Sequence, residues 1–211
     1  ISTEKIKDMI VILDYGLSNV GSVKNMLSKL GAQVTATVDT NSILDADAII
    51  IPGVGSFDAG MQRLQNIEGY PALNFVALQK KIPVLGICLG MQMMTRSSEE
   101  GHMKGLGWVN AETVKIDSNN RLVPNMGWRF VNPVGAETLF SQRNNKDKFY
   151  FVHSFHVRCD DQKDVISTID YGGNIVASFM DENLVGAQFH PEKSHMYGFA
   201  FFKKWLNHFN L

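Results

Sequence analysis

The sequence lacks the features of secreted, membrane and nucleic-acid-binding proteins. Of its 211 residues only two are cysteines, Cys88 and Cys159, and pairing them would leave no free thiol. Lysine and arginine number 20 against 21 aspartates and glutamates, so there is no basic excess of the kind that binds a phosphate backbone. No apolar run approaches the ~20 residues that span a bilayer, and the N-terminus has no signal-peptide pattern. We therefore predict a cytoplasmic protein without a nucleic-acid or membrane partner.

The residues that are present suffice for one globular domain. Apolar residues make up 45% of the chain, which allows a sizeable core at this length. No low-complexity stretch or internal repeat divides the sequence, and we predict a single domain over 9–211. The segment 1–8 is mostly polar and precedes Met9, where the first apolar run begins. We interpret 1–8 as a leader or as residues added for expression.

Strand and helix patterns alternate in the first half of the chain. Apolar runs at 9–14, 33–38 and 48–51 are typical of buried parallel strands. A helical pattern separates the first two runs, and Gly31 closes it as a C-cap. Strand, helix and strand in succession predict a parallel, right-handed, doubly wound sheet. In such sheets the ligand-binding and catalytic residues lie at the carboxyl ends of the strands.

The second half of the chain has a different pattern of apolar residues. Short alternating runs between 108 and 170, divided by Asn, Gly, Pro and Asp, predict antiparallel strands, and two more runs follow at 174–180 and 183–189. A closing helix is predicted to pack on the sheet through an apolar stripe: Phe199, Phe202, Trp205, Leu206 and Phe209. The predicted fold class is therefore α/β, with a mixed, mostly parallel, doubly wound sheet flanked by helices and an added antiparallel section.

The stretch Gly-Ile-Cys-Leu-Gly at 86–90 has the pattern of a nucleophile elbow in which sulfur replaces the serine oxygen. The apolar run at 84–87 predicts a buried strand, and a helical segment follows it. The sharp turn between them needs residues without bulk, and Gly86 and Gly90 meet that need. Cys88 would then lie at a helix N-terminus, where backbone N–H groups and the helix dipole favour the thiolate. A buried cysteine flanked by packing glycines would give the same pattern.

A thiol nucleophile needs a base, and among the six histidines His190 has the most suitable surroundings. It directly follows an apolar strand, and Pro191 stiffens the turn after it. Glu192 is spaced so that its carboxylate can reach the ring nitrogen that faces away from the sulfur. His153 has no such carboxylate nearby and is predicted only to line the site. Metal ligation is the weaker alternative, because there is no CxxC or HxxxH spacing; we predict no metal and no cofactor.

Six short motifs follow one another along the chain. They are Pro-Gly-Val-Gly-Ser-Phe at 52–57, Gly-Ile-Cys-Leu-Gly-Met-Gln at 86–92, Ser-Glu-Glu-Gly at 98–101, Met-Gly-Trp at 126–128, Tyr-Phe-Val-His-Ser-Phe at 150–155 and Gln-Phe-His-Pro-Glu-Lys-Ser at 188–194. In this order they resemble the motifs of the class I glutamine amidotransferases. Within that class they are most similar to those of the glutaminase subunit of imidazole glycerol phosphate synthase. The resemblance runs from about Met9 to the C-terminus.

The resemblance implies that glutamine is the substrate and that it is hydrolysed to glutamate and ammonia through a thioester. Cys88 would attack the side-chain amide. His190, oriented by Glu192, would protonate the departing ammonia and then activate the water that releases glutamate.

The resemblance also implies which groups surround the reacting atoms. The tetrahedral intermediate carries an oxyanion, and losing one hydrogen-bond donor to it typically costs ~3 kcal/mol of barrier. The backbone N–H of Leu89 is the first expected donor. The second would come from Val54 or Gly55, where a peptide would have to flip into place. Further residues match positions that line the glutamine site: Gln92, Glu100, His153, Ser154 and Phe155.

Ammonia in this family passes to a separate (β/α)8-barrel subunit that forms the imidazole ring and an aminoimidazole ribonucleotide, so the resemblance implies a heterodimer active in histidine biosynthesis. The partner and its ligand switch the glutaminase on. Four residues match interface or gate positions: Asn125, Met126, Trp128 and Tyr150. The family usually has histidine where this chain has Asn125, and Ala187 before Gln-Phe-His-Pro-Glu is a milder departure.

Three other interpretations remain open. The same glutaminase chemistry could supply ammonia to a synthetase that amidates sugars for surface polysaccharides. Stand-alone cysteine hydrolases, such as peptidases and γ-glutamyl hydrolases, use similar sheets without a partner. A catalytically silent regulatory subunit is the third, although such a protein is expected to have lost Cys88, His190 or Glu192, and all three are present.

Overall fold

The computed structural model describes residues 9–119, 121–135, 139–140 and 147–211 of the chain. The segment 1–8, predicted to be a leader, lies outside the described residues. Within the described ranges the helices are α1 (Val20–Lys29), α2 (Thr40–Leu44), α3 (Phe57–Gln65), α4 (Tyr70–Asn74), α5 (Leu89–Met93) and α6 (His195–His208). The strands are β1 (Met9–Leu13), β2 (Gln33–Thr37), β3 (Ala48–Gly53), β4 (Val84–Cys88), β5 (Ala111–Lys115), β6 (Asn125–Phe130), β7 (Asn132–Pro133), β8 (Lys148–His153), β9 (Phe155–Cys159), β10 (Val165–Asp170), β11 (Asn174–Asp181) and β12 (Leu184–Ala187).

The main sheet has the strand order β2-β1-β3-β4-β12-β11-β10-β7. Its first five strands are parallel, whereas β11, β10 and β7 each run antiparallel to the preceding neighbour. The predicted mixed, mostly parallel sheet with an added antiparallel section is therefore confirmed. The chain returns from β11 to β12 through a hairpin, and this return inserts β12 beside β4 with Ala187 opposite Ile87. Residues that directly follow β4 and β12 consequently meet at one edge of the sheet.

Both faces of the parallel strands are buried, which explains why their sequences are almost continuously apolar. In β1, Val11 and Leu13 face one core, while Ile10 and Ile12 face the other. The first core lies between the sheet and α3 to α5, and the second lies between the sheet and helices α1 and α6. No helix among the described residues combines the length and apolar character needed to cross a bilayer.

The second core is rich in aromatic rings. Phe149 stacks on Phe189 with 4.0 Å between ring centroids, and Phe201 packs edge-on against Phe189 at 5.1 Å. Such pairs stabilise a core by about 0.5–1.5 kcal/mol each beyond the burial of their area. This cluster attaches α6 and β8 to the segment that follows β12.

The buried face of α6 differs from its prediction at Phe199, and Phe209, also only partly buried, lies just past the end of the helix. Phe201 is buried and Phe199 is only partly buried, whereas the sequence predicts Phe199 in the core. The buried positions Gly198, Phe201, Phe202 and Trp205 follow the i, i+3, i+4, i+7 spacing of a helix that packs on one side. A Cβ atom at residue 198 would lie 1.8 Å from the carbonyl oxygen of Pro191, so the close approach of the helix at its first turn sets this phase.

Two antiparallel ribbons accompany the main sheet. Strand β5 pairs with β9, and β6 pairs with β8. The alternating runs predict strands at β5, β8 and β9, but no strand at β6. Gly127 interrupts the pattern of β6 with a φ of 121°, a conformation that favours glycine and weakens the strand signal.

The core should tolerate truncation far less than the surface does. Leu27 is fully buried in the second core, so Leu27→Ala is expected to lower the free energy of unfolding by about 2–5 kcal/mol. Leu122, which is 84% exposed, gives the matched control, and Leu122→Ala should change it by less than about 0.5 kcal/mol. Urea denaturation followed by circular dichroism measures both values. Equal losses would contradict the described core.

Candidate active site

Strand β4 ends at Cys88 and α5 begins at Leu89, so the chain turns from strand to helix at a single residue. Cys88 has a φ of 53° and a ψ of −108°, a conformation that residues other than glycine rarely adopt. A Cβ atom at residue 90 would lie 1.7 Å from the carbonyl oxygen of Ile51, and one at residue 86 would lie 2.7 Å from the amide nitrogen of Met91. The predicted need for Gly86 and Gly90 at this turn is confirmed.

Cys88 opens into a cavity of about 300 Å³, a volume suited to a small molecule. The cavity wall brings together the residues that the sequence assigns to the oxyanion hole and to substrate binding: Val54, Gly55, Leu89, Gln92, Glu100, His153, Ser154 and Phe155. Pro124 and Val152 complete the wall on one side, and neither is assigned by the sequence. The described residues include no cluster of His, Cys, Asp and Glu side chains arranged to hold a metal ion.

His190 lines the same cavity because it follows β12, the parallel neighbour of β4. Its Nδ1 atom hydrogen-bonds Oε1 of Glu192 at 2.8 Å, and both side chains are almost completely buried. Nε2 of His190 has no hydrogen-bond partner among the described residues. This nitrogen is therefore available to a proton from Cys88 or from a bound substrate.

Backbone hydrogen bonds hold His190 in place. Its N–H donates to the carbonyl oxygen of Tyr150 at 2.9 Å, and its own carbonyl oxygen accepts from Oγ of Ser194 at 2.6 Å. The same Oγ accepts from the N–H of Tyr150 at 3.0 Å. The segment after β12 is thereby tied to β8, and the imidazole is presented to the cavity from a rigid support.

The ionisation of His190 is coupled to its two neighbours. Burial disfavours the imidazolium, but the charge of an ionised Cys88 and the hydrogen bond to Glu192 outweigh this effect and raise the pKa of His190 to about 10. His190 is therefore an imidazolium at neutral pH.

The other cysteine lies in a different environment. Burial, reinforced by the Asp164 carboxylate, raises the pKa of Cys159 to about 12. Cys159 therefore stays a thiol at neutral pH. Both cysteines are free.

Gln188 contacts Cys88, although the sequence assigns it no role. Its Nε2 atom lies 3.7 Å from Sγ of Cys88, and its Oε1 atom accepts a hydrogen bond from Nε2 of Gln92 at 3.1 Å. Gln92 also donates to the carbonyl oxygen of Phe155 at 3.1 Å. The signal in the sequence for Gln188 is a polar residue just after an apolar strand and two positions before His190.

The N–H of Val54 points away from the cavity. It donates to the carbonyl oxygen of Leu17 at 2.7 Å, while the hydroxyl of Tyr15 donates to the carbonyl oxygen of Pro52 at 2.6 Å. Burial, with the nearby charge of Cys88, raises the pKa of Tyr15, so that this hydroxyl keeps its proton. Gly55 has a φ of 108°, and its conformational freedom leaves room for a rotation of the adjacent peptides.

Glu100 connects the cavity to α3. Its Oε2 atom accepts a hydrogen bond from the N–H of Phe57, the first residue of that helix, at 2.8 Å. A carboxylate at this position complements the positive end of the helix dipole. Glu100 is thus held at the cavity rim by the segment that follows the Pro-Gly-Val-Gly motif.

The four residues predicted at a partner interface or gate divide into two environments. Met126 is exposed, and Trp128 and Tyr150 are partly buried beside it on the outer face of the β6–β8 ribbon. Trp128 stacks on the ring of His195 at 5.6 Å. Asn125, in contrast, is fully buried, and its side chain faces inward toward His153.

The chain matches the family model described as glutamine amidotransferase class-I over residues 11–205. The chain belongs to the class I glutamine amidotransferases. Its relatives include the protein named imidazole glycerol phosphate synthase subunit HisH 2 of Methanococcus maripaludis, 44% identical over 94% of this chain and 98% of that protein. The protein of the same name from Pseudomonas aeruginosa is 41% identical over the same shares.

Solved structures have the fold of this amidotransferase at lower identity. A crystal structure described as a glutamine amidotransferase has a TM-score of 0.76 at 13% identity, and the match covers 96% of this chain and 99% of the other. The structure described as PurLQS from Thermotoga maritima has a TM-score of 0.71 at 18% identity, and the match again covers 96% of this chain and 99% of the other.

The coupling around His190 can be measured directly in this amidotransferase. Cys88→Ser removes the ionisable sulfur and Glu192→Gln removes the carboxylate, so each substitution is expected to lower the pKa of His190 from about 10. NMR titration of the imidazole nuclei gives the value. Cys159→Ser, which removes the other buried thiol, is the control and should leave it unchanged. A pKa of His190 that is the same in all four proteins would refute the coupling.

Proposed function

We propose that this amidotransferase is the glutaminase subunit of an imidazole glycerol phosphate synthase and passes ammonia to a (β/α)8 cyclase subunit in histidine biosynthesis. The observation that carries the chemistry is the alignment of a buried His190–Glu192 pair with Cys88 on one cavity. The pathway is supported by the relatives from Methanococcus maripaludis and Pseudomonas aeruginosa, both named as subunits of that synthase. Two free cysteines agree with a reducing, cytoplasmic location.

The reaction proceeds in two halves. The Cys88 thiolate attacks the side-chain amide carbon of glutamine, and the C–N bond breaks as Nε2 of His190 gives its proton to the departing nitrogen. Ammonia leaves and a thioester remains. Nε2 then takes a proton from water as the water oxygen attacks the thioester carbon, and the C–S bond breaks to release glutamate. Glu192 orients the ring throughout and stabilises the imidazolium.

The oxyanion formed in each half needs two donors. The N–H of Leu89 is the first. The second is the N–H of Val54 or Gly55, and Val54 can serve only after its hydrogen bond to Leu17 breaks and the peptide rotates. Where Val54 is the second donor, its bond to Leu17 leaves the oxyanion one donor short, which raises the barrier by ~3 kcal/mol and corresponds to a slow enzyme. We propose that docking of the partner favours the rotated state.

The outer face of the β6–β8 ribbon is the proposed docking surface. Met126 and Phe130 are 58% and 51% exposed, and Trp128 lies between them on the same face. Exposed apolar groups in such a contiguous row are typical of a protein interface. Met126 also pairs across the ribbon with Val152, which lines the cavity, so the surface and the site of ammonia release share a wall.

The departure from the family at Asn125 does not favour a different acceptor. Because its side chain is fully buried, the substitution leaves the exposed face of the ribbon unchanged. A sugar-amidating synthetase would nevertheless use the same glutaminase half. Isolation of the complex from native lysate separates the two proposals, since one predicts a barrel cyclase and the other an ATP-using synthetase.

Removal of the nucleophile tests the chemistry. Cys88→Ala is expected to abolish synthesis that depends on glutamine, while synthesis from added ammonia by the partner survives, because only the thioester route needs the sulfur. Assays of product formation with each nitrogen source measure the two rates. Loss of both activities would indicate a structural thiol instead.

Covalent labelling provides the control for that assay. An electrophilic analogue of glutamine should modify Cys88, whereas Cys159 should remain unmodified, since burial raises its pKa to about 12. Mass spectrometry of the labelled peptides identifies the site. Equal labelling of both cysteines would contradict the assignment.

The docking surface predicts a second result. Addition of the cyclase partner together with its ligand should raise the rate of glutamate release, and Met126→Lys should increase the partner concentration needed for half-activation roughly tenfold or more. Leu78→Lys is the control, because Leu78 is 42% exposed beside Asn183, at the opposite edge of the sheet. An unchanged rate on addition of the partner would refute the proposed activation, and equal effects of the two substitutions would refute the surface.

A further inference from the structure

We infer that Asn125 is a positioning residue for the glutamine pocket, because its amide sets the tautomer of His153 and thereby holds the carbonyl group of Phe155 in the cavity wall. The inference rests on the proposed function for its effect on glutamine. The tautomer of His153, on which the inference depends, can be measured without any enzymatic turnover.

Asn125 and His153 face each other directly across the β6–β8 ribbon, with both side chains on the buried face. Nδ2 of Asn125 lies 2.9 Å from Nε2 of His153. On its other side, Oδ1 of Asn125 accepts a hydrogen bond from Nε of Arg129 at 3.0 Å. A guanidinium can only donate, so the oxygen of the amide must face Arg129 and the NH₂ group must face His153.

This orientation determines where His153 carries its proton. The amide NH₂ of Asn125 donates, so Nε2 of His153 must accept and has no hydrogen. The proton of the neutral ring is then on Nδ1, which donates to the carbonyl oxygen of Phe155 at 2.8 Å. Burial lowers the pKa of His153 to about 4, so the ring is neutral at physiological pH and a single tautomer is selected.

The carbonyl group of Phe155 is the point at which this chain of hydrogen bonds reaches the active site. It accepts from His153 and also from Nε2 of Gln92, which in turn donates to Gln188 beside Cys88. Phe155, Gln92 and His153 all line the cavity. A change in the tautomer of His153 would remove one of the two donors to this carbonyl and loosen the wall against which glutamine binds.

The isosteric substitution Asn125→Asp reverses the polarity of the contact. A carboxylate still accepts from Arg129, but toward His153 it can only accept, so the neutral ring must move its proton to Nε2. Nδ1 then presents a lone pair to the carbonyl oxygen of Phe155, and that hydrogen bond is lost. At lower pH the ring takes up a second proton, beside the new carboxylate, and donates to both neighbours.

In the variant, the hydrogen bond from His153 to Phe155 therefore depends on pH. In the natural chain it does not, because the ring stays neutral at physiological pH. The charged and titratable groups facing His153 are Arg129 on β6, His156 on β9 and His190 after β12, and all of them remain in the variant. The KM for glutamine of Asn125→Asp should be close to the natural value near pH 6 and rise about tenfold by pH 9, the effect of one lost hydrogen bond in a buried site.

The experiment combines NMR and kinetics on the full chain. Ring ¹⁵N shifts of His153, assigned with His153→Gln, should report the Nδ1–H tautomer in the natural protein and the Nε2–H tautomer in Asn125→Asp at high pH. Glutamate release in the presence of the partner subunit gives KM and kcat, with KM changing more than kcat. Asn41→Asp makes the same change of charge at an exposed position in α2, and should show neither effect.

The possible results separate the inference from the proposed function. An Nε2–H tautomer or a mixture in the natural protein would overturn the role of Asn125, and this measurement needs no substitution. An unchanged KM in Asn125→Asp, with the tautomer shifted, would overturn its effect on the pocket. Absence of glutamine hydrolysis by the natural protein with its partner would count against the proposed function alone, while the tautomer would still decide the structural role of Asn125.

Discussion

The parallel pairing of β4 with β12 is the contact on which the active site depends. These strands lie about a hundred residues apart in sequence, yet Gly86 pairs with Gly186 and Ile87 with Ala187, so both strands end at the same edge of the sheet. Cys88, the last residue of β4, and His190, three residues beyond the end of β12, are thereby brought to the same cavity. The helices and the antiparallel strands of the sheet serve to bury this pair of strands on both faces and to complete the walls of the cavity.

Close approach of backbones is the constraint that follows from this pairing. Cys88 holds a conformation that costs on the order of 1–3 kcal/mol for a residue with a side chain. It persists because β3 and α5 pack so tightly on either side that only glycine fits at residues 86 and 90. The strained backbone conformation of Cys88 thus follows from the packing of β3 against α5, and it directs the sulfur atom into the cavity.

Two histidines on the same cavity show how the surroundings determine the protonation state of one residue type. His190 has an ionisable sulfur and a buried carboxylate as neighbours, and its pKa rises to about 10. His153 is buried between an amide and a carbonyl group, and its pKa falls to about 4. The first is therefore an imidazolium at neutral pH, whereas the second remains neutral and serves as a fixed link in a hydrogen-bond network.

The sequence by itself determined the features that depend on local pattern: the α/β class and the glycines of the elbow. It also selected Cys88, His190 and Glu192 as the proposed catalytic set. Apolar periodicity and a turn that excludes side chains are encoded by neighbouring residues, so they can be recognised without a structure. Only the tertiary structure decided that β6 is a strand, that Gln188 touches the sulfur, that Asn125 faces His153, and that the N–H of Val54 is bonded to Leu17. Each of these depends on a partner distant in the chain, and the identity of a hydrogen-bond partner across two packed elements is not encoded in the residues on either side of it.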